Sequence, residues 1–144
     1  MKILIADDHA VVREGLAALF EKQPDLQVVG TADNGEKAVA LAKELAPDLI
    51  IMDIAMPRLN GVSAIGQIVQ CRPAVKIIVL SMHSENTIVT EARRSMLVAP
   101  FVGWVVTTSG ATASSFLAVA KVVTTWAARG IPTRSMTPVV TTIS

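Results

Sequence analysis

The fold is decided by residues 49–53, which read LIIMD, four apolar residues in a row followed by a carboxylate. Residues 2–8, which read KILIADD, repeat this design close to the N-terminus. A short apolar run without polar alternation is typical of a strand that is buried on both faces, as in a parallel sheet. The two runs therefore predict parallel strands, one ending in Asp53 and the other in Asp7 and Asp8.

Helical and extended patterns alternate along the rest of the chain. Further strands are predicted over residues 27–30, 75–80 and 101–106. Helices are predicted over residues 11–20, from an N-cap at Asn34 to residue 45, and over residues 61–70, 86–94 and 111–128. In the last helix, one face is expected to carry Phe116, Leu117, Ala120 and Val123. This alternation predicts an α/β fold with a five-stranded parallel sheet and helices on both faces.

Four polar side chains end three of the predicted strands: Asp7 and Asp8, Asp53, and Ser81. In open parallel sheets the carboxyl ends of the strands form the ligand site where the strand order reverses. Three carboxylates at one edge repel each other, and a hard divalent cation such as Mg²⁺ relieves that repulsion. Taken alone, the Asp7–Asp8 pair could equally be a solvated loop or a helix cap. Together with Asp53 it predicts a metal site.

An aspartate beside a bound metal can accept a phosphoryl group and form an acyl phosphate. Such transfer needs a nucleophile in line with the leaving group and neutralisation of charge on the phosphoryl oxygens. A hydroxyl at Ser81 could donate a hydrogen bond to one of those oxygens. The edge of the sheet is therefore a candidate site for phosphoryl transfer to Asp53.

Three segments resemble the receiver domain of bacterial response regulators, and most closely the subfamily that carries a C-terminal helix-turn-helix. They are residues 5–9 (IADDH), 53–61 (DIAMPRLNG) and 80–84 (LSMHS). The resemblance runs in register over residues 1–85. It implies a flavodoxin-like fold and a phosphorylation switch in a two-component system.

The resemblance also implies a role for each site residue. Asp53 would be the phosphoacceptor, and Asp8, Asp53 and the backbone carbonyl of Ala55 would bind Mg²⁺. Asp7 would hold a metal-bound water, and Ser81 would be the switch hydroxyl. His9, at the start of the first helix, would be a trait of the subfamily and not a metal ligand.

The partners implied are a sensor histidine kinase as phosphoryl donor and, for the face around the fourth and fifth elements, a partner protein or a second copy of the chain. Regulation of transcription would act through an output domain that this chain lacks, so DNA would be reached only through that domain. The expected location is the cytoplasm. In this setting the protein is a phospho-accepting signalling domain and not an enzyme.

One feature of the family is missing. The family has a lysine at the end of the fifth strand, but this chain has none between Lys76 and Lys121. Aligning residues 103–106 (GWVV) with the glycine-aromatic-aliphatic run of the family places Trp104 at the switch aromatic and Thr107 at the lysine. A threonine can donate a hydrogen bond but lacks the charge that strengthens such a contact. Trp104 could equally be an ordinary core residue.

Three explanations of the missing lysine stay open. The domain takes phosphate but couples it poorly to its output face, or it binds partners whether phosphorylated or not. Alternatively, the reading frame is altered after about residue 85, since no acidic residue follows Glu91. The rival functions are therefore a degenerate, phosphorylation-independent interaction module and a phosphate-ester hydrolase. A hydrolase of this kind needs a second carboxylate two residues after Asp53 as its acid/base, but this chain has Ala55 at that position.

Length and composition favour one domain. The chain has 144 residues and a net charge of +1, which gives no reason to expect a polyanionic partner. We expect a receiver domain over residues 1–128 and a tail over residues 129–144, in which no helix-turn-helix is visible. The single cysteine, Cys71, excludes an internal disulfide and fits a reducing cytoplasm; it is expected to be a small buried residue near a helix end.

One segment needs testing as a membrane span. Residues 95–120 contain no charged residue and no histidine. That length would suffice to cross a bilayer, but Pro100, Gly103 and the polar residues 107–110 interrupt it. The sequence therefore predicts no contact with a membrane.

Overall fold

The structure is a computed structural model that describes residues 1–81, 103–108, 117, 119, 121, 123 and 140–143. The strands in this part of the chain are β1 (Lys2–Ala6), β2 (Gln27–Ala32), β3 (Leu49–Asp53), β4 (Lys76–Ser81), β5 (Gly103–Thr108) and β6 (Val140–Ile143). The helices are α1 (Ala10–Phe20), α2 (Gly35–Leu45) and α3 (Gly61–Cys71). Residues 117, 119, 121 and 123 are also helical. No helix within these residues is long and apolar enough to cross a membrane.

The strands form a single parallel sheet in the order β2-β1-β3-β4-β5-β6. β1 pairs with β2 on one side and with β3 on the other, so the direction in which the sheet grows reverses there. The crevice beyond the carboxyl ends of strands at such a reversal is where parallel sheets bind ligands. The predicted flavodoxin-like α/β fold is confirmed, and the ends of β1 and β3 flank the crevice.

Apolar residues fill both faces of the sheet. Every residue of β3 is buried, and its side chains alternate between two clusters. Ile50 and Met52 pack with residues of α2 and α3, whereas Leu49 and Ile51 pack with residues of α1. Each fully buried aliphatic side chain contributes about 1.5–3 kcal/mol relative to exposure. The continuous apolar runs are therefore explained by burial on both sides.

The predicted elements agree with the structure within a few residues where both exist. Strand β2 continues two residues beyond the predicted end, and β4 includes Ser81. The predicted helix over residues 86–94 lies outside the described residues. The sequence predicted five strands, and the sixth, β6, lies in the segment assigned to the tail and pairs with β5.

Two expectations about burial are wrong. Leu117 is 51% exposed, while Val119 and Val123 are buried. Val119 and Val123 are four residues apart and define the core face of their helix, and Leu117 lies about 200° around the axis from Val119. Cys71 is exposed because it is the last residue of α3, whose buried residues end at Ile68.

Candidate functional site

The ends of β1 and β3 bring three acidic residues together. Asp7 follows β1 directly and Asp53 is the last residue of β3, in adjacent strands whose register pairs Ala6 with Met52. One ligand atom each from Asp7, Asp8, His9 and Asp53 lies within 4.8 Å of all the others. The predicted gathering of residues 7, 8 and 53 at one edge of the sheet is therefore observed.

Two of these carboxylates, Asp7 and Asp53, are buried. Among the residues that the structure describes, the basic side chain recorded in contact with the carboxylates of the cluster is His9. Asp7 is 2% exposed and Asp53 is 3% exposed. Burial first, and then the charges of Asp7 and Asp8, raise the pKa of Asp53 to about 6 against the opposing hydrogen bonds from the Ala55 and Ile54 amides. Burial likewise raises the pKa of Asp7, partly offset by its hydrogen bonds from His9. Desolvation disfavours the charged form of each group.

His9 is the histidine in contact with this cluster. Its Nδ1 lies 3.0 Å from Asp7 Oδ1 and 2.9 Å from Asp8 Oδ1, and its backbone N–H donates to Asp7 Oδ1 at 2.8 Å. The bond to Asp7, with the charge of Asp8, raises the pKa of the imidazole. Sequence reasoning placed His9 outside the metal ligands and missed these contacts. The signal was its position directly after the two aspartates.

Arg13 also contacts the site and was missed. Its Nη1 donates to the backbone carbonyl of Asp7 at 2.6 Å from one turn into α1. A second bond, from the Asp7 amide to the Ala32 carbonyl at 3.1 Å, ties the same residue to the end of β2. The backbone of Asp7 is therefore held from both sides, and this limits where its carboxylate can lie.

The loop between β3 and α3 closes the other side of the site. The Ala55 amide donates to Asp53 Oδ1 at 3.2 Å, and the Gly61 amide donates to the Ile54 carbonyl at 2.9 Å. A Cβ at Gly61 would overlap the Asp53 carbonyl oxygen, so only glycine fits there. Asn60 caps α3 by accepting from the Ser63 amide at 2.8 Å. These contacts hold Ala55 at the exposed rim, next to the Asp53 carboxylate.

The remaining predicted site residues lie on β4 and β5. Asp53 pairs in register with Leu80, so Ser81 ends β4 at the same rim. Ser81 in turn pairs with Thr107, and Trp104 pairs with Ile78 three residues earlier. The backbone thus places Thr107 beside Ser81. The alignment of Thr107 with the family's lysine and of Trp104 with the switch aromatic stays a prediction.

The residues at the site fit a hard divalent cation. Three carboxylates supply oxygen ligands, and the pKa values of Asp7 and Asp53 are raised first by burial and then by the neighbouring carboxylates. Mg²⁺ is usually bound by one or two carboxylates, and its remaining positions are taken by water molecules and by phosphoryl oxygens of a substrate. An ion of this kind would remove the electrostatic penalty, and the aspartate at the centre could then act as a nucleophile.

Comparison with known proteins identifies relatives of the chain. A family model described as the response regulator receiver domain matches residues 3–98. The transcriptional regulatory protein LnrK of Bacillus subtilis is 44% identical over 92 residues, which are 64% of this chain and 42% of LnrK. The transcriptional regulatory protein DegU of Brevibacillus brevis is 40% identical over 95 residues, 66% of this chain and 40% of DegU. The chain thus spans about two fifths of the length of these relatives.

Solved structures agree. The response regulator domain of Thermotoga maritima CheB has a TM-score of 0.75 and 33% identity, covering 92% of this chain and 98% of that domain. The signal receiver domain of the response regulator NarL from Mycobacterium tuberculosis has a TM-score of 0.68 and 26% identity, covering 88% and 95%. Both likenesses extend over most of the chain, beyond the residues that carry the sequence motifs.

Proposed function

The chain belongs to the response regulator receiver family, and on that premise we propose that it is a signalling switch phosphorylated on Asp53 by a sensor histidine kinase. The observation that carries the proposal is the position of Asp53. Its carboxylate is buried at the end of β3, within 4.8 Å of ligand atoms on Asp7 and Asp8. A carboxylate so placed is costly for stability, which supports a role in function.

In the proposed reaction an Asp53 carboxylate oxygen attacks the phosphorus of a phosphohistidine. The new O–P bond forms as the P–N bond of the donor breaks, and the imidazole nitrogen keeps the electron pair and later takes a proton from water. Asp53 must be ionised to attack, and with a pKa of about 6 it is largely ionised at neutral pH. The Ala55 amide, which donates to Oδ1 at 3.2 Å, orients the carboxylate.

We assign the Mg²⁺ ligands to Asp8, Asp53 and the backbone carbonyl of Ala55, with Asp7 holding a metal-bound water. When bound, the ion neutralises negative charge on the carboxylates and on the phosphoryl oxygens. The clustering of the three carboxylates and the exposure of Ala55 at the rim support this assignment. The chain itself positions Asp7 through His9 and Arg13.

The proposed response to phosphorylation passes through β4 and β5. Ser81 would be the switch hydroxyl, Trp104 the switch aromatic, and Thr107 the residue at the position of the family's lysine. The strand register, which sets Thr107 beside Ser81, supports these assignments. Thr107 can donate one uncharged hydrogen bond to a phosphoryl oxygen, so its contribution would be smaller than that of an ammonium group.

The proposed output is regulation of transcription. The relatives LnrK and DegU are transcriptional regulatory proteins more than twice the length of the matched segment. By that analogy, DNA would be reached through an output domain outside this chain, and a homodimer would form through the face around β4 and β5. The cytoplasmic location expected from the sequence is part of this proposal.

A second candidate function is a receiver that binds partners whether phosphorylated or not. The observation in its favour is the threonine at position 107, beside Ser81, where the family has a lysine. Such a domain would still bind Mg²⁺. Its β4 and β5 amides would keep the same NMR positions with and without a phosphoryl group, whereas a switch would move them.

The test of the proposal is incubation with acetyl phosphate and Mg²⁺, followed by intact-mass analysis. We expect one added phosphoryl group, lost in Asp53→Asn and lost when the metal is chelated. Asp25→Asn, the same change at an exposed aspartate before β2, serves as the matched control that keeps the adduct. Absence of any adduct on the wild-type chain would favour the degenerate, phosphorylation-independent interaction module. Release of many equivalents of phosphate would instead indicate the hydrolase.

A further inference from the structure

The first turn of α2 lies directly against the loop that closes the candidate site. Gly35, the first residue of α2, is buried, and its α-carbon faces the backbone of Leu59. A Cβ at position 35 would overlap the Leu59 carbonyl oxygen and lie 2.8 Å from its carbonyl carbon. Backbone atoms cannot rotate away as a side chain end can, so any side chain at Gly35 has to displace the loop or the helix.

The α2 side of this contact is held firmly. Asn34 caps the helix by accepting from the Lys37 amide at 2.9 Å, and its own carbonyl accepts from the Ala38 amide at 3.1 Å. Ala38 and Val39 are buried in the core cluster shared with α3. The cap keeps the first turn of α2 helical, and the helix cannot move away from the sheet without losing the packing of Ala38 and Val39. Under a clash at Gly35 the loop is the part that yields.

The loop side carries a proposed metal ligand. Residues 54–60 connect Asp53 to α3 and include Ala55. Leu59 packs partly into the core, and the Arg58 side chain reaches the Glu36 carboxylate at 3.8 Å. Arg58 has a φ of 66°. Residues other than glycine rarely adopt this left-handed backbone conformation, which here turns the chain toward α2. The loop thus meets α2 at two successive residues.

We propose that Gly35 is a positioning residue for the site: by lacking a side chain it lets the backbone of Leu59 rest on the first turn of α2, and this contact sets the position of Ala55 relative to Asp53. The inference rests on the proposed function, since it takes the Ala55 carbonyl as a metal ligand. Gly35 itself does not touch the metal, the phosphoryl group or the phosphoacceptor.

The size of the effect follows from geometry. Relieving the overlap at Gly35 moves the Leu59 backbone by roughly 1 Å, and misplacement of that order at an active site can lower a rate about 100-fold. The Ala55 carbonyl lies four residues before Leu59 in a short loop held at both ends, so part of this shift reaches it. Mg²⁺ tolerates poor geometry badly because it demands near-octahedral coordination.

The test compares Gly35→Ala with Gly66→Ala in the full chain. Gly66 is a second helical glycine, in α3, and a Cβ there would meet no atom within 4 Å. Both changes add a methyl group and raise helix propensity, so they differ in the clash alone. Isothermal titration calorimetry with MgCl₂ measures affinity, urea unfolding measures stability, and the NMR position of the Ala55 amide reports the loop.

We expect Gly35→Ala to weaken Mg²⁺ binding by about tenfold or more and to shift the Ala55 amide, while Gly66→Ala keeps the wild-type affinity. Equal Mg²⁺ affinity in the two variants, with both folded, would overturn the inference. Failure of the wild-type chain itself to bind Mg²⁺ would count against the proposed function instead. The two failures are therefore distinguishable.

A second variant covers the case in which Gly35→Ala does not fold. Asn34→Ala removes the cap that holds the first turn of α2, at a cost of about 1 kcal/mol, which a folded domain tolerates. The loosened turn gives the loop a less defined support, so Mg²⁺ affinity should fall a few-fold. Wild-type affinity in a folded Asn34→Ala chain would overturn the inference as well.

Discussion

Asp53 and Asp7 are acidic side chains kept almost entirely out of water in a small domain. The folded state holds them because the apolar strands β1 and β3 are buried on both faces and deliver their last residues to the same edge. Packing around the sheet thus offsets the electrostatic cost at the site. At the scale of single residues, stability and the proposed chemistry therefore oppose each other.

The first prediction is that Asp53→Asn stabilises the metal-free protein at neutral pH. The pKa of about 6 lies above the ordinary 3.8, so ionisation of Asp53 opposes folding. The protonated carboxyl group favours the folded state, and this contribution to stability is complete below the unfolded pKa and is lost as the pH rises through about 6. The difference between the two pKa values corresponds to up to about 3 kcal/mol of unfolding free energy at pH 7. Urea unfolding of the wild type and the variant is the measurement. Mg²⁺ should stabilise the wild type and not the variant; equal stabilities at pH 7 would contradict the assignment.

The second prediction concerns His9 in the metal-free protein. Its pKa is raised by Asp7 and Asp8, so the protonated imidazole is favoured in the folded state. The stabilisation is present below the ordinary pKa of 6.5 and is lost as the pH rises through the raised value. We expect His9→Gln to lower the melting temperature at about pH 5.5 and to have no effect at about pH 9. A melting-temperature loss that is the same at both pH values would refute a charge-based contact.

At the scale of elements, the two helix starts beside the site are built in the same way. Asn34 and Asn60 each accept a hydrogen bond from the amide three residues later, and each is followed by a buried glycine. One glycine admits the backbone of Asp53 and the other admits the backbone of Leu59. Capped helix ends with glycine at the first position therefore let two loops approach more closely than any side chain would permit.

The third prediction tests the cap of α3. Asn60→Ala should lower the free energy of unfolding by about 1 kcal/mol, because the Ser63 amide loses its partner. Asn60→Asp keeps an acceptor in the same place and should retain most of the stability. Gln67→Ala, an exposed change in the middle of α3, is the control. A cap variant no less stable than this control in urea would show that water replaces the asparagine at little cost.

The β4–β5 pair carries two of the residues proposed for the switch, Ser81 and Thr107. The register sets Thr107 opposite Ser81, and the alignment of residues 103–106 proposes that Thr107 takes the position of the family's lysine. The sheet itself continues past this point, since β6 adds to the far side of β5. The parallel architecture is thus preserved around the Ser81–Thr107 pair.

At the scale of the whole molecule, one sheet separates two apolar clusters. One contains Ile65 and Ile68 of α3, and the other contains Leu16 and Phe20 of α1. Both clusters draw on alternate residues of the same strands, so neither can lose its packing without disturbing the sheet. We therefore expect the described part of the chain to unfold as one cooperative unit.

The fourth prediction tests this cooperativity. Leu16→Ala and Ile65→Ala lie on opposite sides of the sheet, and each should cost about 2–5 kcal/mol. Native-state hydrogen exchange should show that either variant lowers the protection of the slowest amides in both α1 and α3. Val11→Ala is the control, because Val11 is 77% exposed. This change should alter the free energy of unfolding by less than about 0.5 kcal/mol. Loss of protection confined to the mutated face would mean two independent units.

The sequence by itself determined the strands β1 to β5, their parallel arrangement and the meeting of Asp7, Asp8 and Asp53, because uninterrupted apolar runs need burial on both faces and parallel strands end at one edge. The sixth strand, β6, came only with the tertiary structure. It also predicted the cap at Asn34 from a local pattern. Only the tertiary structure decided the contacts of His9 with both carboxylates, of Arg13 with Asp7, and of Gly35 with Leu59. It also decided the exposure of Leu117 and Cys71. The contacts of His9 and Arg13 join residues that are two and six positions from Asp7, but they depend on the path that the backbone takes from β1 into α1. The contact of Gly35 with Leu59 joins different segments of the chain, and a difference of about an ångström in their approach, which no local pattern encodes, separates contact from clash.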